Sequence, residues 1–257
     1  MSAVFSEWRA ALEAACRATA LFRSVHVLES TPSTQDAPET GAAAPGTIVT
    51  AWRQTSGRGR FGRHWADTAA AGVAATFVVD TQPAERLALA GAVAAAEAIE
   101  RALGRRVGIK WPNDIVVDGR KLAGVLIEVR GPRALVGIGI NCTQDRFEGE
   151  LEPRATSLAM LGARVDRLEV LAALVASLDR ALTAPDDELV GAFILRDALR
   201  GTRALFATPQ GPVEGEVRSV DPMRGLVVRT AAGEHFLPAQ STSVAEWAVH
   251  RAARRLD

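Results

Sequence analysis

Absences narrow the reading of this 257-residue chain before any motif does. It has two cysteines, Cys16 and Cys142, far apart and at neither metal-ligand nor redox spacing, so both are expected to be buried or half-buried reduced thiols. Its four histidines (His26, His64, His235, His250) are scattered, with no serine or cysteine nucleophile motif beside them. That argues against a resident metal and against a serine-type hydrolase. There is no net charge: 30 basic and 30 acidic residues cancel, which excludes a protein that grips nucleic acid with its whole surface. A long apolar run is missing too. The first residues, MSAVFSEWRAALEAACRATALF, carry acids and arginines throughout and read as neither signal peptide nor membrane span. A cytoplasmic protein without a membrane partner is expected. No internal repeat or low-complexity linker is present.

What remains is a chain that is 48% hydrophobic, enough for a sizeable core. Phe5, Trp8, Leu12 and Cys16 recur at helical spacing and predict an amphipathic helix over residues 4–20. VHVLES (25–30), TIVTAW (47–52) and VAATFVVD (73–80) read as strands, and the alanine-rich run 84–103 as a helix opening at Pro83. Strand signals then crowd together in VGIKW, DIVV, RKLAGVLIEV and ALVGIGIN. Residues 154–200 return to helical patterning, with starts at Asp166 and at the Pro185-Asp186-Asp187 cluster. From about residue 203, short β-type runs alternate with glycine, proline and aspartate turns, the texture of a small β-barrel. The fold class is therefore mixed α/β over 1–200, followed by a small β domain over 201–257.

The most unusual stretch is RQTSGRGRFGRHW (53–65), with four arginines, a histidine, three glycines, a tryptophan and no acid. Gly57, Gly59 and Gly62 fit the dinucleotide fingerprint G-x-G-x-x-G, but no helix pattern opens at the third glycine and the arginines would be superfluous there. No Gly-Lys-Ser/Thr of a phosphate-binding loop follows. The composition suits a mobile cover whose guanidinium forks close on an anion while glycines admit close backbone approach. A solvated surface loop and an arginine–glycine contact to nucleic acid stay open at this point.

Three other patterns bear on the choice. In KWPNDIVVDGRKLAG, Asp118-Gly119 is a strong two-residue hairpin turn. A regular register would oppose Val117 to Arg120, Val116 to Lys121 and Asp114 to Ala123, putting Asp114 and Lys121 on one face as diagonal neighbours. An ordinary cross-strand ion pair is the bland alternative. In VGIGIN, Gly137, Gly139 and Asn141 share a face opposite Val136, Ile138 and Ile140. That flat wall fits a planar ligand or close helix packing. In ESTPSTQDA, Ser33 and Thr34 either cap a short helix or hydrogen-bond a small polar ligand.

Together, STQ at 33–35, GRGRFGRHW at 57–65, KWPNDI at 110–115, KLAGVLIE at 121–128 and GIGIN at 137–141 resemble the biotin protein ligase (biotin–[acetyl-CoA-carboxylase] ligase) family, in its order and from about residue 25 onward. The resemblance implies a catalytic domain akin to class II aminoacyl-tRNA synthetases and lipoate ligases, with an SH3-like C-terminal barrel. It implies ATP and biotin as substrates, Mg²⁺ accompanying ATP, and the biotin carrier domain of an acetyl-CoA-carboxylase-type enzyme as acceptor. By matching positions, Ser33, Thr34, Gln54, Arg58, Gly59, Arg60, Lys121, Gly124 and Gly139 would form the biotin site. Arg60, Arg63, Trp65, Asn113, Asp114, Lys121 and Asn141 would form the nucleotide side. Arg58, Arg60, Lys121 and Asp114 would be catalytic, with Asp114 a candidate base for the acceptor lysine. No protein metal site is implied. Family members with a regulatory role begin with a winged helix-turn-helix; only about 25 residues precede the first family strand here, so a short form that binds no DNA is expected. The family motif has asparagine where Gln35 stands. A homodimer through the sheet is compatible with the family. The rivals are a lipoate or octanoate ligase, which needs a longer apolar pocket, and a non-catalytic module binding biotin or RNA.

Overall fold

The computed structural model describes residues 3–62, 64, 65 and 70–247, with the side chains of Phe61 and His64 left aside. Its chain order is α1 (Ala3–Arg17), β1 (Ser24–Thr31), α2 (Pro38–Ala42), β2 (Thr47–Gln54), β3 (Gly57–Arg58), β4 (His64–Trp65), β5 (Gly72–Asp80), α3 (Ala84–Leu103), β6 (Gly108–Lys110), β7 (Asp114–Val117), β8 (Arg120–Arg130), β9 (Arg133–Asn141), α4 (Arg167–Thr183), α5 (Asp186–Ile194) and β10–β14. The last five are Arg203–Thr208, Gly211–Asp221, Gly225–Thr230, Gly233–Pro238 and Ser243–Trp247.

Seven strands form one mixed sheet in the order β1-β2-β5-β9-β8-β7-β6. Only β1 and β2 pair parallel; every other pair in it is antiparallel. Strand alternation sorts side chains to two faces. Val73, Ala75, Phe77 and Val79 of β5, with Val136, Ile138 and Ile140 of β9, join the main core beneath α1, α3 and α4. The alanines of α3 explain how closely that helix lies on the sheet. Ala90, Ala94, Ala95 and Ala96 are fully buried, and a Cβ on Gly91 would stand 2.8 Å from Val125 Cγ1. Burying apolar surface at roughly 25 cal/mol per Å² is what holds this layer. Trp8 and Trp52 meet edge-on with ring centroids 5.3 Å apart, and the Arg167 guanidinium lies 4.5 Å from the Trp52 ring centroid, which fixes α1 to β2. Helix α4 starts where the sequence indicates: Asp166 accepts a 2.7 Å hydrogen bond from Leu168 N–H. Both cysteines are buried free thiols, and burial raises the pKa of Cys16.

Strands β10–β14 form a second, antiparallel sheet in the order β13-β12-β11-β10-β14. It is joined to the first by Trp111, buried, whose indole N–H donates to the Pro222 carbonyl at 3.2 Å. Among the described residues no helix is long and apolar enough to cross a membrane.

The other face of the seven-stranded sheet carries the site. The β7–β8 turn is the expected one, with Asp118 at φ 49° and Gly119 at φ 77°, both in the left-handed region that a two-residue hairpin demands. Its register is not regular. A bulge between Ile115 and Val116 opposes Asp114 to Gly124, not Ala123, because Leu122 is an extra residue on the partner strand. The consequence is direct: Leu122 and Ala123 are both buried in the core, and Gly124 takes the place expected of Ala123 beside Asp114.

Candidate active site

A cleft of about 770 Å³ opens on that face, in the size range of small-molecule sites. Of the residues singled out in the sequence, Ser33, Thr34, Gln54, Arg58, Gly59, Arg60, Trp65, Asn113, Asp114, Lys121, Gly124, Gly139 and Asn141 all line it. Arg63 lies outside the described residues.

One end is uncharged, polar and buried. The turn after β1 carries Ser33, Thr34 and Gln35, each 4% exposed. Neither hydroxyl caps α2: the N-cap position is Ala37, which makes no side-chain cap bond, because the chain runs through a turn before Pro38 starts the helix. Thr34 faces β2 instead. Its N–H and its hydroxyl both donate to Gln54 Oε1, at 2.7 and 3.0 Å, and its hydroxyl accepts from Thr76 at 2.9 Å. The Gln54 carbonyl is thereby taken up inside the protein, which fixes the plane of its amide at this end of the cleft. The Ser33 hydroxyl accepts from Gln35 N–H at 3.3 Å. Gln35 itself was not assigned from sequence. Its side-chain oxygen lies 2.5 Å from where a Gly137 Cβ would stand, and its Nε2, buried, has no hydrogen-bond partner among the described residues. A buried donor without an acceptor costs roughly 1–3 kcal/mol, so this end is built to receive one.

The other end is charged. Lys121 Nζ sits 2.6 Å from Asp114 Oδ1 and 5.5 Å from the Trp65 ring centroid. The bulge makes this possible, since a Cβ on Gly124 would stand 2.9 Å from Lys121 Nζ. Gly139 plays the same part for Trp65, whose indole Cε2 is 2.6 Å from the Cβ position. The space over both glycines is thus taken by the chain's own side chains. Asn113 is held by its amide, which donates to the Val125 carbonyl at 2.5 Å, and it accepts from Arg60 at 3.4 Å. Asn141 donates to the Thr156 carbonyl at 2.9 Å, tying the 142–158 segment down. That segment pairs with the start of β8, through Lys121 N–H to the Arg154 carbonyl at 2.7 Å and Thr156 N–H to the Lys121 carbonyl at 2.9 Å. Arg154 therefore lines the cleft beside Lys121.

Across the middle runs the glycine-rich segment. β3 and β4 pair as Gly57↔Trp65 and Arg58↔His64, with a 3₁₀ turn at Arg60–Gly62 and no helix at the third glycine. The dinucleotide fingerprint fails for that reason. The segment starts from a fixed base, with Thr55 and Ser56 N–H donating to the Thr31 and Pro32 carbonyls at 3.0 and 2.9 Å. Arg58 makes ion pairs with Asp36 and Glu128. The sequence reading passed over Lys110 inside KWPND, and it passed over β14, which brings Ser243 to Trp247 to the cleft wall. The Lys110 ammonium lies 5.7 Å from the Trp247 ring centroid. Nothing local in β14 signals this; it depends on how the second sheet docks. Among the described residues no group of three or more His, Cys, Asp or Glu could hold a metal ion.

Residues 27–145 match the model of the biotin/lipoate A/B protein ligase family. The chain is 35% identical over 194 residues to the biotin–[acetyl-CoA-carboxylase] ligase of Mycobacterium tuberculosis, covering 70% of this chain and 72% of that protein. It is 38% identical over 157 residues to the bifunctional ligase/repressor of Bacillus subtilis, 56% of this chain and 48% of the relative. It thus spans about half the length of that relative. Among solved structures, the biotin protein ligase from Aquifex aeolicus in complex with biotin and ATP superposes with a TM-score of 0.79 at 27% identity, covering 87% of this chain and 99% of that one.

Proposed function

The chain belongs to the biotin/lipoate A/B protein ligase family, and from that membership we propose that it is a biotin–protein ligase, which forms biotinyl-5′-AMP from biotin and ATP and passes the biotinyl group to a lysine of a carrier domain. One observation carries the choice of acid: a buried, hydrogen-bonded amide-and-hydroxyl end and a cationic end share one cleft. A ureido ring has a carbonyl acceptor and two N–H donors, and it suits Ser33, Gln35 and Gln54. A lipoyl or octanoyl chain offers that end nothing to bond, and burying its polar groups unpaired would cost affinity.

In the first step a biotin carboxylate oxygen attacks the α-phosphorus of ATP, and the bond to the bridging oxygen of the β-phosphate breaks with pyrophosphate leaving. Both reactants are anions, so the step needs fixed cations where charge builds up. Lys121 takes that role at the α-phosphate, with Arg60 beside it. Mg²⁺ enters as part of the substrate MgATP, held mainly by phosphate oxygens. In the second step the carrier lysine's amine nitrogen attacks the acyl carbon, the bond to the phosphate oxygen breaks, AMP leaves and the amine proton passes to a base. Asp114, 2.6 Å from Lys121, is the proposed base. Thr34 orients Gln54; Arg58 and Gly59 cover biotin; Gly124 and Gly139 border the biotin site, with Lys121 and Trp65 lying over them. Trp65, Asn113, Asn141 and Arg63 belong to the nucleotide side, Arg63 on the sequence match alone. A glycine-jointed cover over the mixed anhydride would keep water from it.

We further assign residues 1–200 to the catalytic domain and 201–257 to an SH3-like domain. The acceptor is the carrier domain of an acetyl-CoA-carboxylase-type enzyme, and the chain acts in the cytoplasm without nucleic acid. The test is pyrophosphate release with MgATP and biotin, lipoate or octanoate in turn. Release only with biotin supports the ligase reading; release only with lipoate or octanoate would move the chain to the sister activity.

A further inference from the structure

The Arg58 guanidinium is held by two carboxylates of the chain. Asp36 grips it with both oxygens, Oδ2 at 2.7 Å from Nε and Oδ1 at 2.8 Å from Nη2, and Glu128 Oε1 lies 2.8 Å from the same Nη2. Arg130 closes the group, 2.6 Å from Glu128 Oε2 and 3.3 Å from Asp36 Oδ1. Two acids and two arginines balance in charge. The four residues come from three different segments of the chain, and of them Arg58 lines the cleft. Asp36 follows the Ser33–Gln35 turn, Arg58 lies in the glycine-rich segment, and Glu128 and Arg130 stand on the site face of β8. Arg58 is flanked by Gly57 and Gly59, so between the base at Thr55 and Ser56 and the Arg60–Asn113 hydrogen bond it carries the one side chain that can tie this stretch down.

We propose that Asp36 and Glu128 are positioning residues that anchor Arg58, and that Arg58 in turn pins the glycine-rich segment across the buried polar end of the cleft. This rests on the biotin ligase reading and revises one part of it: Arg58 is an anchor, while Lys121 and Arg60 meet the reacting charge. For Arg58 to engage a phosphate it would have to leave a two-oxygen carboxylate grip and a second carboxylate together, and such forks are the strong form of the arginine–carboxylate bond. The cluster is partly open to water, with Arg58 42% and Asp36 47% exposed, so each pair alone is weak and salt-screened. The network, not one pair, holds the segment.

The experiment uses the full chain with D36N, E128Q, the D36N/E128Q double variant, and D36E as conservative rescue. With both carboxylates neutralised, biotin KM and the release of bound biotinyl-adenylate without acceptor should each rise about tenfold, kcat should move less than about threefold, and most of the salt dependence of KM should vanish. D36E should restore most of the wild-type KM. In parallel, trypsin cleavage after Arg58 and Arg60 should be about tenfold faster in the double variant than in wild type, with the thermal midpoint unchanged. That readout needs no activity. A wild-type chain that forms no adenylate sinks the ligase reading and leaves the cleavage comparison to decide the anchor. Equal cleavage rates, or a loss confined to kcat with KM intact, would overturn it.

Discussion

The two ends of the cleft are built on opposite principles. At one end Thr34, Gln54 and Thr76 are buried and bonded to each other, so each group's orientation is fixed by the cost of leaving any of them unpaired. At the other, Lys121 is paired with Asp114, in a pair that water and salt still reach. The buried end can read a shape and a hydrogen-bond pattern. The charged end supplies compensation that a bound anion can rearrange. The proposed reaction, between two anions of which one carries a neutral bicyclic head, would use both.

Substitutions should separate these ends in order of size. Lys121→Ala should lower the rate of pyrophosphate release by about 10²–10³-fold, because it removes a fixed cation at the developing charge and leaves Asp114 unpaired. Biotin binding measured by calorimetry should fall far less. Gln54→Ala should raise biotin KM by roughly 10–100-fold, the equivalent of about 1–3 kcal/mol for a buried hydrogen-bond network left incomplete, with little change in ATP KM. An equal rise in both constants would mean that the two ends are not separate. Gly139→Ala should displace the Trp65 ring, 2.6–3.0 Å from the new methyl position, and raise ATP KM about fivefold or more by crowding. Smallest of all, Asp166→Ala touches neither end. It removes the α4 cap, so it should cost about 1 kcal/mol of stability in thermal unfolding and leave both KM values alone.

Much of this was legible in the chain itself because the signals are local. The Asp118-Gly119 turn, the two faces of β9 and the Asp166 start of α4 each follow from backbone geometry within a few residues. The site positions outside Arg63 also fall in one cleft. What was not legible depends on contacts far apart in sequence. A bulge next to Ile115 sets which residue faces Asp114, and nothing in DIVV announces it. The expected cap at Ser33 or Thr34 gave way to bonds with Gln54 and Thr76, 20 and 42 residues from Thr34. Gly139 looked like room for a ligand, and the room is taken by Trp65 from a segment more than seventy residues earlier. The arginines of GRGR suggest guanidinium groups that close on an anion; for Arg58 the carboxylates are the chain's own, Asp36 and Glu128, which lie in other elements altogether.

The most direct measurement is the intact mass of a biotin carrier domain after incubation with this chain, biotin and MgATP, followed by peptide mapping. The expected result is a gain of one biotinyl group at a single lysine, lost when ATP is omitted or Lys121 is replaced by alanine. An unmodified carrier, or a carrier that gains a lipoyl or octanoyl group instead when those acids are supplied, would contradict the ligase assignment.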